Sequence, residues 1–225
     1  MEKLRVIYSK SKEAVFISHL DTVKIIEQAL SRADISVEFS KGFNPRPELS
    51  FAHPLSLGIE STGEIFEIIL TEKIDIPYFI REMNKVLPSG LTILTAEYVD
   101  MSEKTLMSRV YAATYVITFV YPDEMFEGKT KRQIEDIKTM YKDKMEEYLS
   151  QRSIMVLKKS KNRMERIDVK PQILDFEFYI DGSLEISVST GSKNNLKPEF
   201  VLSGFNEFAD SNLEFEVKRT RILYN

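Results

Sequence analysis

The chain has 225 residues, 43% of them hydrophobic, and a formal net charge of −4 from 31 basic and 35 acidic residues. This length admits one large domain or two of roughly 100 residues, and the acidic balance excludes a broadly basic nucleic-acid coat while leaving room for a local basic stripe. Cysteine is absent, which excludes disulfides, thiolate metal sites, cysteine nucleophiles and an iron–sulfur cluster held by this chain.

Met1 to Arg5 runs straight into a strand-like pattern without a signal-peptide core. No apolar run is long enough to cross a bilayer. A cytoplasmic protein without a membrane partner is expected. Leu4 to Tyr8 reads as a strand with Leu4, Val6 and Tyr8 on one face. Ser18 opens a helix in which Leu20, Val23, Ile26, Ala29, Leu30 and Ala33 recur at helical spacing. Ile35, Val37 and Phe39 alternate as a second strand. A long connection carrying Gly42-Phe43-Asn44-Pro45-Arg46-Pro47 follows, with a short strand expected near 51–57 and another over 65–70. Asp75-Ile76-Pro77 starts a second helix, Pro88-Ser89-Gly90 stops it, and 91–98 is a strand.

The order β-α-β-β-α-β is that of a ferredoxin-like unit, and it recurs. Strands are expected over 111–121, 154–158, 171–180, 183–189 and 215–224, with helices over 131–149 and 197–208 and a hairpin turn at Asp181-Gly182. The fold class is therefore α+β, as two tandem ferredoxin-like units with antiparallel sheets packed together. The expected domains are 1–100 and 109–225, divided in the polar stretch 100–108.

Four features carry chemistry. Ser18 with Asp21 three residues on has the form of a capping box with aspartate in place of glutamate, which assigns Asp21 to the helix start. His19 at the first helical position is placed to face a ligand, and His19 with Asp21 is the one candidate acid–base pair. The loop at 42–47 is stiffened by Pro45 and Pro47, with Gly42 free to take a positive φ. It would hold Asn44 and Arg46 on an extended segment suited to a phosphate or carboxylate. Residues 158–170 hold six cations against two acids; of these, Lys159, Lys161, Arg163, Arg166 and Lys170 are candidate phosphate contacts, although a solvated hairpin tip has the same composition. His19 and His53 with a carboxylate such as Asp21 could form a histidine-based metal set, but their spacing does not require one, so no metal and no cofactor are assigned. No phosphate-binding loop, dinucleotide fingerprint or nucleophile elbow is present.

Ser18-His19-Leu20-Asp21, Ala29-Leu30-Ser31-Arg32-Ala33, Gly42 to Pro47 and Pro54 to Ser61 together resemble the radical SAM-linked family of bacterial proteins. Ile167 to Pro171 and Arg219-Thr220 match its later motifs more loosely, with Lys170 where arginine is usual. The resemblance implies a cytoplasmic domain of unknown function, found alone or joined to a radical SAM protein, and so a radical SAM partner. The resulting expectation is an accessory module that binds structured RNA for a radical SAM enzyme acting in tRNA or rRNA modification or processing. His19, Asn44 and Arg46 would form its recognition edge. The alternatives are a metal-independent RNA-processing enzyme using His19 and a scaffold that only docks the protein partner. A binding role is expected ahead of a catalytic one.

Overall fold

The computed structural model describes residues 1–160, 163–191 and 194–225. They form a mixed α+β chain with mostly antiparallel strand pairing and five α-helices. The chain divides into two compact units, Met1–Ala112 with Lys218–Asn225, and Ala113–Val217.

In the first unit β1 (Glu2–Lys10) lies antiparallel between β3 (Glu60–Leu70) and β4 (Leu91–Val99), and β2 (Leu49–Phe51) pairs with β3. Alternation along β1 sends Leu4, Val6 and Tyr8 into the core with Phe66 and Ile68 of β3. That core is closed by α1 (His19–Arg32) through Ile26, Ala29 and Leu30, and by α2 (Ile76–Val86) through Phe79 and Met83. Leu20 departs from the expected stripe and faces solvent. Asp75 caps α2 by accepting from Tyr78 N at 3.0 Å, and Pro77 fits the first turn because its missing N–H has no helical partner there. The strand expected over 35–39 is reduced to isolated bridges, Val37 to Leu70 and Phe39 to Pro47. Pro47 has no N–H to give a ladder, and regular pairing begins only at Leu49.

The opposite face of the sheet carries a second cluster, Ala52, Ile65, Leu106, Val110 and Ile222, beneath α3 (Leu106–Arg109). The last strand, β10 (Glu214–Tyr224), runs parallel to β3 at Lys218–Glu60 and Arg219–Ser61. This pairing is why the C-terminal residues belong with the first unit. The change of unit falls inside β5 (Val110–Val120), beyond the polar stretch 100–108, because β5 continues α3 without a linker.

The second unit has the strand order β10-β5-β9-β8, with β8 at Ile173–Phe178 and β9 at Leu184–Ser189. Its core combines Tyr115 and Ile117 of β5, Ile186 and Val188 of β9, Met145 and Leu149 of α4 (Lys131–Ser150), and Val201 and Phe205 of α5 (Pro198–Ala209). A full capping box of Thr130 and Gln133 starts α4. The β8–β9 turn has Gly182 at φ 85°, as the Asp-Gly pair predicts. Between α4 and β8 the chain makes an additional antiparallel hairpin, β6 (Met155–Ser160) with β7 (Arg163–Asp168). The basic run lies on this hairpin. Val156 of β6 is buried against α5, where a Cβ on Gly204 would stand 2.7 Å from its Cγ1.

Candidate functional site

The start of α1 is built as the sequence predicts. Ser18 Oγ accepts from Asp21 N at 3.2 Å and donates to the Asp21 carboxylate at 2.7 Å. Asp21 is otherwise exposed and lies 3.7 Å from Lys24. It is therefore occupied by the cap. The acid–base pair of His19 with Asp21 does not form, because residues two apart on a helix point in different directions. His19 turns instead toward the sheet, half-buried, with its ring edge-on to Phe51 at 5.3 Å between centroids.

What His19 meets there is a polar cluster inside the first unit. Lys10, Glu64 and Arg219 are 3%, 3% and 1% exposed. The Arg219 guanidinium grips Glu64 with two bonds, Nε to Oε1 at 2.8 Å and Nη2 to Oε2 at 2.6 Å. It also donates to the carbonyls of His53 at 3.0 Å and Pro54 at 3.4 Å. Lys10 Nζ donates to the Ile17 carbonyl at 2.5 Å, just before the helix cap. Tyr8 lies opposite Glu64 in the sheet.

A β-bulge lies next to Glu64 in β3. Tyr8 pairs with Glu64 but Lys10 pairs with Ser61, so β3 has one extra residue there. Gly63 sits in the bulge and donates to Ser61 Oγ at 3.1 Å. A Cβ on Gly63 would stand 2.2 Å from the Thr220 carbonyl oxygen, so only glycine lets β10 approach. Alternation with Phe66 and Ile68 puts Glu64 on the helix-covered face, and the approach of β10 brings Arg219 to it.

The electrostatics follow from burial. Desolvation lowers the pKa of His19, with Glu64 opposing the shift and the cations Lys10 and Arg219 adding to it. The imidazole is therefore held neutral to lower pH than usual. Desolvation likewise lowers Lys10, again with Glu64 opposing and Arg219 reinforcing. The Tyr8 hydroxyl is pushed well up, first by burial and then by the Glu64 charge.

The proline loop is not part of this corner. Ser40 and Arg46 close it, through Ser40 N to the Arg46 carbonyl at 2.8 Å and Arg46 N to Ser40 Oγ at 3.1 Å. Asn44 and Arg46 are exposed at its tip, and Gly42 does not take a positive φ. The base of the loop, Phe39 and Pro47, lines a groove with Glu27, Leu30, Ser31 and Asp34 at the end of α1. His19 is at the start of α1, whose 14 residues span about 21 Å. The expected edge of His19, Asn44 and Arg46 is thus divided between the two ends of one helix, because β2 runs alongside α1 and carries the loop to its far end.

Two of the candidate phosphate contacts in the second unit are engaged within the fold. Arg166 is paired with Glu207 of α5. Lys170 donates its ammonium to the Leu149 carbonyl in the last turn of α4, where the helix dipole favours a cation. Asp168 accepts from Ile154 N at 2.9 Å and Lys170 N at 3.0 Å, so the Ile167 to Pro171 motif closes the hairpin base. These backbone donors hold the Asp168 carboxyl below its ordinary pKa. Lys158 is exposed on β6. The side chains of Lys159 and Arg163, and Lys161 as a whole, lie outside the described residues. A cavity of about 480 Å³ elsewhere in this unit is lined by Phe119, Tyr121, Glu135, Lys138, Lys142 and Asp181, among others. Its two cations are matched by two acids, so it is not a polyanion groove.

Another network on the opposite face of the first sheet also escaped the sequence. Arg5 binds Glu67 at 2.7 Å and Glu103 at 2.6 Å and lies 4.9 Å from the centre of the Tyr224 ring. Lys3 Nζ is 3.3 Å from Glu67 Oε2, an ion pair whose geometry falls short of a hydrogen bond. Among the described residues no three of His, Cys, Asp and Glu are grouped to hold a metal ion. No described helix is long and apolar enough to cross a membrane.

Residues 3–198 match a family of bacterial proteins described as "Uncharacterized protein conserved in bacteria (DUF2344)". The chain belongs to this family. The DUF2344 description names no activity and no partner. No curated protein matches the sequence. Among solved structures, the chain is similar to one in the crystal structure of a Cbf5-Nop10-Gar1 complex, at 12% identity and a TM-score of 0.45. That likeness covers 97% of this chain and 48% of the other, so this DUF2344 chain spans about half the length of that relative. It is also similar to an unknown protein from Galdieria sulphuraria, at 10% identity and a TM-score of 0.30, over 97% of this chain and 98% of that one. Likenesses this low carry no argument about function.

Proposed function

We propose that this protein is an accessory binding module that holds structured RNA for a radical SAM enzyme in the cytoplasm, with the β6–β7 hairpin as its RNA-contacting arm. The observation that carries the reading is the arm itself. Residues 158–163 hold four cations and no acid in a chain of net charge −4. The pairing of Ser160 with Arg163 sets the described residues of that run across from one another on β6 and β7. Exposed Met155, Leu157 and Met164 beside it supply apolar contact area. Arg166 and Lys170 are set aside as contacts because the fold already uses them.

Strand orders β4-β1-β3-β2 and β10-β5-β9-β8 support reading each unit as ferredoxin-like, the second with the arm inserted. The radical SAM partner rests on the sequence resemblance alone. The test is binding of a structured RNA hairpin by the full chain across a salt series. Four phosphate contacts give a slope of log K against log[salt] of about −3. Changing Lys158, Lys159, Lys161 and Arg163 together to Gln should bring the slope toward zero. Absence of RNA retention at low salt overturns the proposal, and so does an unchanged slope in the fourfold variant.

A further inference from the structure

We propose a second binding site, for a small oxyanion, at the corner of the first unit where Lys10 reaches the start of α1, which carries His19, beside the Glu64–Arg219 pair. It goes beyond the RNA reading, since it uses no cation of the arm.

The argument begins with charge. Glu64 and Arg219 cancel each other through a two-bond pair. Lys10 remains, 3% exposed, with one carbonyl as its hydrogen-bond partner. No carboxylate lies within ion-pair distance of its ammonium among the described residues. The corner thus carries one positive charge in excess, in a place where burial makes charge costly. Two of the three N–H bonds of that ammonium have no acceptor among the described residues.

The neighbouring polar groups are donors in the same condition. The His19 ring makes no hydrogen bond among the described residues; its packing is the edge contact with Phe51. A neutral imidazole still has one N–H to give. The Tyr8 hydroxyl, deeper in, likewise has no hydrogen-bond partner among the described residues, and the ring is 4% exposed. The two nearby carboxylates are occupied, Glu64 by Arg219 and Asp21 by Ser18 and Lys24. A cation is repelled by Lys10 and Arg219, and a neutral ligand leaves the excess charge unmatched. An oxyanion offsets the charge and accepts from Lys10 and His19 through charge-assisted bonds. Inorganic phosphate, a phosphate monoester and a carboxylate share that chemistry.

The test is NMR of the full chain, following the His19 ring through pH titrations, with His53 as the second histidine for comparison. Phosphate and acetate are the two probes, each against chloride at matched ionic strength. The expected result is a saturable rise of the His19 pKa with one or both, because a bound anion favours the imidazolium. A tighter response to phosphate assigns a phosphate ligand, and a tighter response to acetate assigns a carboxylate. In Lys10→Met the probe should bind about tenfold more weakly or worse. The free His19 pKa of that variant should rise, since a neighbouring cation is gone. His19→Gln, whose position is half-exposed and whose binding is read instead from the backbone amides of residues 10 and 17–19, gives a second variant with weakened binding if Lys10→Met fails to fold. A shift that chloride reproduces, no shift with either probe, or full binding in both variants overturns the site.

Discussion

The Glu64–Arg219 pair gives the most demanding test of the fold around the candidate site. Arg219→Met leaves the Glu64 carboxylate 3% exposed with its two strongest donors removed. Breaking a buried pair from one side costs about 3–5 kcal/mol. For a chain of this size, about 2–4 °C of melting temperature accompanies each kcal/mol, so the loss is about 6–20 °C. The double variant Arg219→Met with Glu64→Leu should recover most of it, because an apolar pair of similar volume is often as stable as a buried ion pair. It still leaves the His53 and Pro54 carbonyls without the donors they have now, at 3.0 and 3.4 Å. That residual is about 1 kcal/mol for each bond. Denaturation of the wild type, both single variants and the double variant closes a cycle. Hydrogen exchange of the β1 and β3 amides then reports the first unit separately, since two units need not unfold together. The reasoning predicts a coupling of about 2 kcal/mol or more between the sites. A double variant as unstable as the worse single one refutes it, and would mean that Arg219 stabilises through the carbonyls and packing alone.

Three further outcomes follow from the same geometry. Ser18→Ala removes the cap of α1 and should cost about 1 kcal/mol in thermal denaturation, with RNA retention unchanged. Gly63→Ala drives a Cβ into the Thr220 carbonyl and should destabilise by about 1–3 kcal/mol, whereas Gly42→Ala, with nothing within 4 Å, should stay within about 0.5 kcal/mol. His19 has its folded pKa lowered from the 6.5 of an unhindered imidazole. The unfolded chain therefore takes up the proton first as pH falls, and stability present above 6.5 is lost as pH drops toward the folded value. Denaturation midpoints measured through that window should flatten in His19→Gln, and an unchanged slope refutes the assignment.

The elements were legible where periodicity and capping agreed. Leu4, Val6 and Tyr8 alternate, and Asp75 and Asp181-Gly182 are local signals whose meaning does not depend on distant partners. The reduction of the expected strand at 35–39 to isolated bridges was not legible, because pairing there depends on Pro47 and on β3, which lie outside the segment. The same limit explains the arm. Lys158 to Lys170 reads as one basic run, yet the register of β6 with β7 decides which members are spent. Arg166 reaches Glu207, 41 residues on, and Lys170 reaches a helix end 21 residues back. Charge composition reports what a segment carries and not what it is already bound to.

The buried corner was hidden for a more specific reason. Lys10, Glu64 and Arg219 each look like an ordinary solvated charge at a strand end, and they are separated by up to 209 positions. One signal was available. Gly63 stands just before the apolar run at 65–70, and an isolated glycine in a strand marks a bulge or a close approach. Here it marks both. The bulge shifts the register between Glu64 and Ser61, and the absent Cβ admits β10 and with it Arg219. Glu64 and Glu67 are three residues apart in a regular stretch of β3 and so point to opposite faces, with Arg5 and Lys3 on the face of Glu67. The alternation of β3 therefore sorts two carboxylates to opposite faces of one sheet, and each gathers its own cations. Glu67 is surrounded by more than it needs for neutrality only with Glu103 and Glu97 nearby. Glu64 faces two cations with no second acid, and that imbalance makes the His19 corner the place in this unit where an anion is missing from the charge count.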